Sequence, residues 1–454
     1  MRYLIGFCLL ATSAIANGQA NPPTPAKAQK TPNPLSLSGS VRLRYEAVEG
    51  QPRVGFNDSD DLFNIRTILT AEYDAGPVRF GAELYDSRVY GSDAGTPVTT
   101  NEVNTLELVQ TYLATDIDAP FGKGTKVGLQ AGRFTLNLGS RRLVAADDYR
   151  NTTNGYTGLR ANLQAGEGVT ATLIYTLPQV RLPDDNVALR NNEVDIDRES
   201  FDLVLWGGLV AKKRAFGNAT AELSFYHLGE RDTLARPTRN RSLDTVAARV
   251  IQEPAAQKFD VEVEGIYQFG SARNGVAATS PLRDVSAWFV HADAGYSFGG
   301  KWSSRLSLEV DYASGDKGGG SNNRFDTLFG MRRAELAPSG LYNAIGRANI
   351  LTPAIRFDAI PNKRLDWFAN YRAMWLASRT DAFSTTGVRD PANRSGRFAG
   401  HQIETRIRYW LIPETLRLEA NGVLLLKGRF LENAPNAQRN GDARYFSLNL
   451  TANF

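Results

Sequence analysis

The run GRFTLNLGSRRLVAADDYRN, from Gly132 to Asn151, holds four arginines and two aspartates directly after a short apolar segment. A guanidinium is planar, stays charged at any physiological pH and grips carboxylates through two parallel hydrogen bonds. Residues of this type at this density suit anion recognition better than proton transfer. Patterns for catalysis are missing elsewhere in the chain. His227, His291 and His401 are followed by Leu-Gly, Ala-Asp and Gln-Ile, and no nucleophile elbow, HExxH or phosphate loop occurs. The expectation is therefore a protein that is not an enzyme. With 52 Lys+Arg against 48 Asp+Glu, the charge balance also gives no one-sided basic patch of the kind that binds nucleic acid.

The elements that must position these arginines read as strands. In VRLRYE, Val41, Leu43 and Tyr45 share one face, while Arg42, Arg44 and Glu46 share the other. The same two-residue period runs through Phe63 to Tyr73, RLSLEVDY (Arg305 to Tyr312), HQIETRIRYW (His401 to Trp410) and the final YFSLNLTANF. Short connectors, AGP (Ala75 to Pro77), GEG (Gly166 to Gly168), GGK (Gly299 to Lys301), PNK (Pro361 to Lys363) and PET (Pro413 to Thr415), alternate with long polar ones. That alternation holds along the whole chain only if LDTVAARVIQ (Leu243 to Gln252) is also a strand. About 18 strands result, an even number, as single-chain bacterial barrels require. The expected fold is all-β, a transmembrane up-and-down antiparallel β-barrel.

Residues 1–20 have the basic start, apolar stretch and small residues of a secretory signal, with cleavage after Ala16 or Ala20. Residues 21–35 form a proline-rich periplasmic linker, and 36–454 form the barrel. Cys8, the lone cysteine, falls inside the signal, which leaves no thiol chemistry for the mature chain. Aromatics at strand ends (Tyr73, Phe269, Tyr296, Phe298, Trp302, Tyr312, Trp367, Trp375) fit interfacial girdles, and Phe454 fits a recognition signal for barrel-assembly machinery. The location this implies is the outer membrane of a Gram-negative bacterium, with outer-membrane lipid around the apolar face.

An arginine facing hydrocarbon costs several kcal/mol, so the charged face must line the lumen. Arg42, Arg44, Arg66, Arg160, Arg356, Arg372, Arg406 and Arg408 are thus expected around a water-filled pore, with strand carboxylates between them. His291 and Asp293 share a lumen face as a pair. Around Gly132 the phase slips: Val127, Leu129 and Ala131 share a face with Arg133, but Phe134, Leu136 and Leu138 take the other. A glycine-assisted bulge, or departure of the chain from the sheet, would produce this. Residues 139–154 then form a long loop folded into the pore, where Asp148 is expected to pair with arginine. No resident cofactor is expected. SGDKGGGSNN (Ser314 to Asn323), with Asp311 and Asp316, offers oxygen donors for Ca²⁺ in an extracellular loop, against the plainer reading of a mobile glycine loop.

Four segments together resemble the alginate-export outer-membrane family: GRFTLNLGSRRLV followed by DYRN, YQFGS (Tyr267 to Ser271), DYASGD with FDTLFG (Asp311 to Gly330), and GHQIETRIRYWLIPETLRLEANG (Gly400 to Gly422). The resemblance implies an eighteen-stranded monomer whose electropositive constriction passes a polyuronate outward, supplied by periplasmic polysaccharide-delivery proteins. By motif match it marks Arg133, Arg142, Arg150 and Asn151 as pore or pore-loop residues. Where the family tends to place an aromatic, Asp and Gly together, this chain has TTNGYTG after Asn151. A general or small-anion uptake porin and a surface-structural or adhesion barrel are the competing expectations.

Overall fold

The computed structural model describes residues 33–233, 236–332 and 335–454; the expected signal and most of the linker lie outside them. Eighteen strands follow one another: β1 (Leu35–Glu49), β2 (Asp60–Asp74), β3 (Arg79–Tyr90), β4 (Asn104–Asp118), β5 (Lys126–Phe134), β6 (Tyr156–Gln164), β7 (Val169–Pro178), β8 (Leu203–Phe216) and β9 (Ala219–Glu230). The second half comprises β10 (Ser242–Gln252), β11 (Phe259–Arg273), β12 (Leu282–Ser297), β13 (Arg305–Ala313), β14 (Ile350–Asn362), β15 (Leu365–Trp375), β16 (Phe398–Ile412), β17 (Leu416–Lys427) and β18 (Ala443–Asn453). Each pairs antiparallel with its neighbours, and β1 pairs with both β2 and β18, so the sheet closes with no free edge. Closure pairs the wall's backbone groups strand to strand and leaves no free edge, which a lipid environment demands.

The wall is sorted as the alternation requires. Leu43 and Tyr45 point outward with Leu448 and Phe446 of β18, while Arg42, Arg44 and Glu46 point inward beside Thr451, Asn449 and Ser447. The weak segment expected at 243–252 is indeed β10, in register between β9 and β11. Loop parity holds. Longer loops at one rim (50–59, 91–103, 135–155, 179–202, 314–349, 376–397) face tight turns at the other (75–78, 165–168, 217–218, 413–415). The PNK turn is tighter than expected, since β14 runs through Asn362 and leaves only 363–364. No helix among the described residues is long and apolar enough to cross a membrane.

The slip at Gly132 has a local cause. Its φ is +119°, and a Cβ there would collide with the Thr111 carbonyl oxygen. Glycine alone allows this conformation without strain. Of the two sequence alternatives, departure from the sheet is the one realised: β5 keeps unbroken register with β4 and β6 through Gly132, and the chain leaves the sheet two residues later, after Phe134.

The interior departs from the water-filled expectation. Phe134, Leu136, Leu341, Tyr342, Ile345, Phe383 and Phe430 are each at most 1 % exposed, inside the wall. The long loops fold inward and pack these side chains into a core within the barrel, as burial of apolar surface favours. Many arginines expected to meet water are consequently covered: Arg44 and Arg142 are 2 % exposed and Arg372 1 %.

Candidate pore constriction

Residues 147–151 lie inside the barrel as a strap held against the wall. Arg42 donates to the carbonyls of Asp148 at 3.1 Å and Arg150 at 2.7 Å. Arg66 donates to the same two carbonyls at 3.0 and 3.1 Å. Arg44 takes the intervening Tyr149 carbonyl at 2.7 Å, and its guanidinium lies 4.1 Å from the Tyr149 ring centroid. Three strand arginines thus grip three consecutive carbonyls, which explains why β1 and β2 need arginine at these inward positions. Asn151 completes the hold: its amide donates to the carbonyls of Ile65, Arg88 and Glu102 at 3.2, 3.2 and 2.9 Å, and its own carbonyl accepts from Ser87 Oγ at 2.7 Å.

On the long-loop side of the strap, Arg150 meets a residue that the motif match does not reach. Arg150 donates to Asn101 Oδ1 and Asn154 Oδ1, both at 2.7 Å. Arg181, from loop 179–202, donates to the same two oxygens at 3.2 and 2.6 Å. The two guanidiniums share two neutral oxygens, with Asp147 at 3.2 Å from Arg150 as the carboxylate beside them. Burial, followed by the charge of Arg150, lowers the Arg181 pKa to about 9. Arg181 carries no motif signal; only the fold of its loop brings it here.

Other expected residues belong to different clusters. Arg142 is enclosed by carboxylates, Glu262 at 2.6 Å, Glu335 at 2.8 Å and Glu264 closer still. It ties loop 135–155 to β11 and to loop 314–349, whose Phe329 donates its N–H to the Leu143 carbonyl and accepts from the Ala145 N–H in a parallel bridge to Val144. Arg133 bridges Glu107 at 2.6 Å and Glu199 at 2.8 Å, fastening loop 179–202 to β4. Arg356 bonds Asp358 at 2.8 Å, and Arg406 and Arg408 converge on Asp366 at 3.2 and 2.8 Å. Arg160 sits apart, beside Asn162 on its own strand. The Asp148 carboxylate is 3.9 Å from Arg141; it is the Asp148 carbonyl that the wall arginines hold.

Two expectations about acidic partners change. His291 bonds Asp311 at 2.8 Å, whereas Asp293 pairs with Arg305, because the register sets His291 opposite Asp311 on β13. Asp311 therefore lies in the wall, facing the lumen. Asp316 lies in the following loop, where its backbone N–H bonds Asp381 at 2.9 Å, so the two do not form one loop site.

Two carboxyls near the strap are displaced from their ordinary range. Burial pushes Glu102 up to about 7, although it accepts from the Thr99 N–H and hydroxyl at 2.9 and 2.8 Å. Burial and then the Glu107 charge push Asp197 up to about 7 as well.

A closed eighteen-stranded wall, apolar outside, with a basic strap held on its inner face, defines an outer-membrane channel. The chain belongs to the alginate-export family, whose model matches residues 33–443. No functionally curated protein matches it. Among solved structures it resembles three from Pseudomonas aeruginosa. OccK2 (OpdF) in complex with glucuronate is 13 % identical, with a TM-score of 0.55 over 92 % of this chain and 98 % of that one. OccK3 (OpdO) is 12 % identical, with a TM-score of 0.55 over 92 % and 95 %. The outer membrane protein opdK is 12 % identical, with a TM-score of 0.55 over 92 % and 99 %. At these identities the likeness is one of fold.

Proposed function

We propose that the channel passes carboxylate-bearing saccharides, with an anionic polyuronate-like polysaccharide as its cargo and secretion as its direction, across the outer membrane of a Gram-negative bacterium. The observation that carries this reading is what the arginines at the strap bond. Among the described residues, Arg42, Arg66 and Arg181 direct their hydrogen bonds at neutral oxygens, whereas Arg133, Arg142, Arg356, Arg406 and Arg408 face carboxylates. Positive charge whose hydrogen bonds go to neutral groups, set inside a low-dielectric wall, focuses field lines and concentrates anions. Its distribution along the strap favours handing a solute on over holding it tightly. Membership in the alginate-export family supports the polymer as cargo. Secretion also requires periplasmic proteins that deliver the polymer, and we include them in the proposal together with a monomeric barrel.

Uptake of small anions is the second reading. It is favoured by the apolar loop core that fills the long-loop end of the lumen, and by the glucuronate held by one protein of like fold. Single-channel recording in a planar bilayer separates the two. Anion-selective current blocked by oligouronates at concentrations where the monosaccharide acid has no effect supports polymer passage. Equal block by the monosaccharide acid favours uptake, and cation selectivity indifferent to either removes the central claim.

A further inference from the structure

Away from the strap, β12, β13 and β15 bring His291, Glu309, Asp311 and Asn370 together on the inner wall, 2, 3, 0 and 2 % exposed. One ligating atom from each of His291, Glu309 and Asp311 lies within 4.8 Å of the others. Three oxygens there are buried without a hydrogen-bond partner: Glu309 Oε1, Asp311 Oδ2 and Asn370 Oδ1. Asn370 is fixed against the cluster, since its amide nitrogen donates to the other Glu309 oxygen at 3.4 Å. Leaving a buried acceptor unmet costs about 1–3 kcal/mol, more when it is charged.

Among the described residues, the chain's own cations do not hydrogen-bond these three oxygens. Arg372 faces both carboxylates, and it stands 3.7 Å from Glu309 Oε1 and 3.9 Å from Asp311 Oδ2, too far to hydrogen-bond either. Its bonds go instead to the Glu335 carbonyl and the Thr352 hydroxyl. The group that fits is doubly positive, accepts an imidazole nitrogen with carboxylate and amide oxygens, and is small enough to sit among them.

We propose that His291, Glu309, Asp311 and Asn370 bind one divalent transition-metal cation in the barrel wall. One nitrogen among oxygen donors selects the manganese-to-zinc series over calcium or magnesium, which favour all-oxygen cages. Ligands bound at about 2.1 Å lie roughly 3–4 Å from one another, so side-chain shifts of about an ångström complete the site. The ion would clamp β12, β13 and β15 where loop 314–349 docks on the wall. This site is independent of what the channel transports.

The test uses the full-length folded barrel in detergent, stripped with a chelator and dialysed against Mn²⁺. One ion per chain is expected, with ¹⁴N hyperfine coupling from imidazole in pulsed EPR. Loss of a mere supporting partner of a metal ligand already costs about tenfold in affinity, so His291→Gln and Asp311→Asn should each cost at least that, while Asp316→Asn should cost nothing. Heat-modifiable migration on gels shows whether each variant is folded. No stoichiometric ion, an ion in all-oxygen coordination, or undiminished binding by folded His291→Gln each overturns the proposal. The first and second outcomes are read on the unaltered chain, so they stand even where a variant fails to fold.

Discussion

Arg150 and Arg181 lie against the same two amide oxygens, so each feels the other's charge, and the carboxylate in ion-pair range is Asp147, on Arg150. Replacing Arg181 by alanine should lower the anion-over-cation permeability ratio about threefold or more, read as a shift in reversal potential under a salt gradient. An unchanged reversal potential would show that the strap does not select. Arg142 should behave differently. It is wrapped by three carboxylates, and removing it strands them in a buried setting, a loss of about 3–5 kcal/mol. Arg142→Ala should therefore lower the melting temperature measured by loss of heat-modifiable migration, and an unaltered melting point would mean that the cluster does not hold the loops. The motif marked Arg133, Arg142 and Arg150 alike, because arginine density says nothing about which carboxylates the fold delivers. Glu107, Glu199, Glu262 and Glu335 come from distant parts of the chain, and they separate the anchoring arginines from those that bond neutral oxygens.

At the level of elements, the strap depends on how β5 ends. Gly132→Ala would place a Cβ against the Thr111 carbonyl in a left-handed conformation, and should destabilise the barrel by about 1–3 kcal/mol. Urea titration of the folded barrel measures this, and a change under half a kcal/mol, roughly the size of an ordinary surface substitution, would contradict the assigned backbone. The loops carrying Glu102 and Asp197 are expected to respond to pH. Both carboxyls titrate near 7 when folded, above their ordinary 4.5 and 3.8, so the folded loops hold protons more tightly than the loosened ones. Their contribution to loop order is full below about pH 4 and is lost as pH rises toward and through 7. Protection factors from hydrogen exchange over 96–103 and 195–199, corrected for intrinsic rates, should fall between pH 5 and pH 8. Factors that rise or stay level over that interval would show that these groups are not buried as described.

Over the whole molecule, loops from one rim fold into the cylinder and pack a core inside it, with the strap held against the wall. Replacing residues 140–150 with a Gly-Ser segment of equal length removes the strap's grips without shortening the chain. Single-channel conductance should rise severalfold and anion preference should drop as basic charge leaves the passage. Conductance equal to that of the unaltered chain would mean that the strap is not the narrowest point.

Strand number, the outward and inward faces, the alternation of turns with long loops and the exit of the chain from the sheet just after Gly132 were all legible in the sequence. Each depends on a local rule: side chains alternate along a strand, and a wall in lipid must close on itself. The inward course of loop 135–155 was legible too, from its charge. The apolar core inside the barrel, the partner of His291, the recruitment of Arg181 and the wall cluster at Asp311 were not. They arise from contacts between segments far apart in the chain, and single-sequence patterns carry no record of which distant residues will meet. Tertiary structure decided them, since a buried charge must find its counter-charge wherever the closed wall and folded loops bring one within reach.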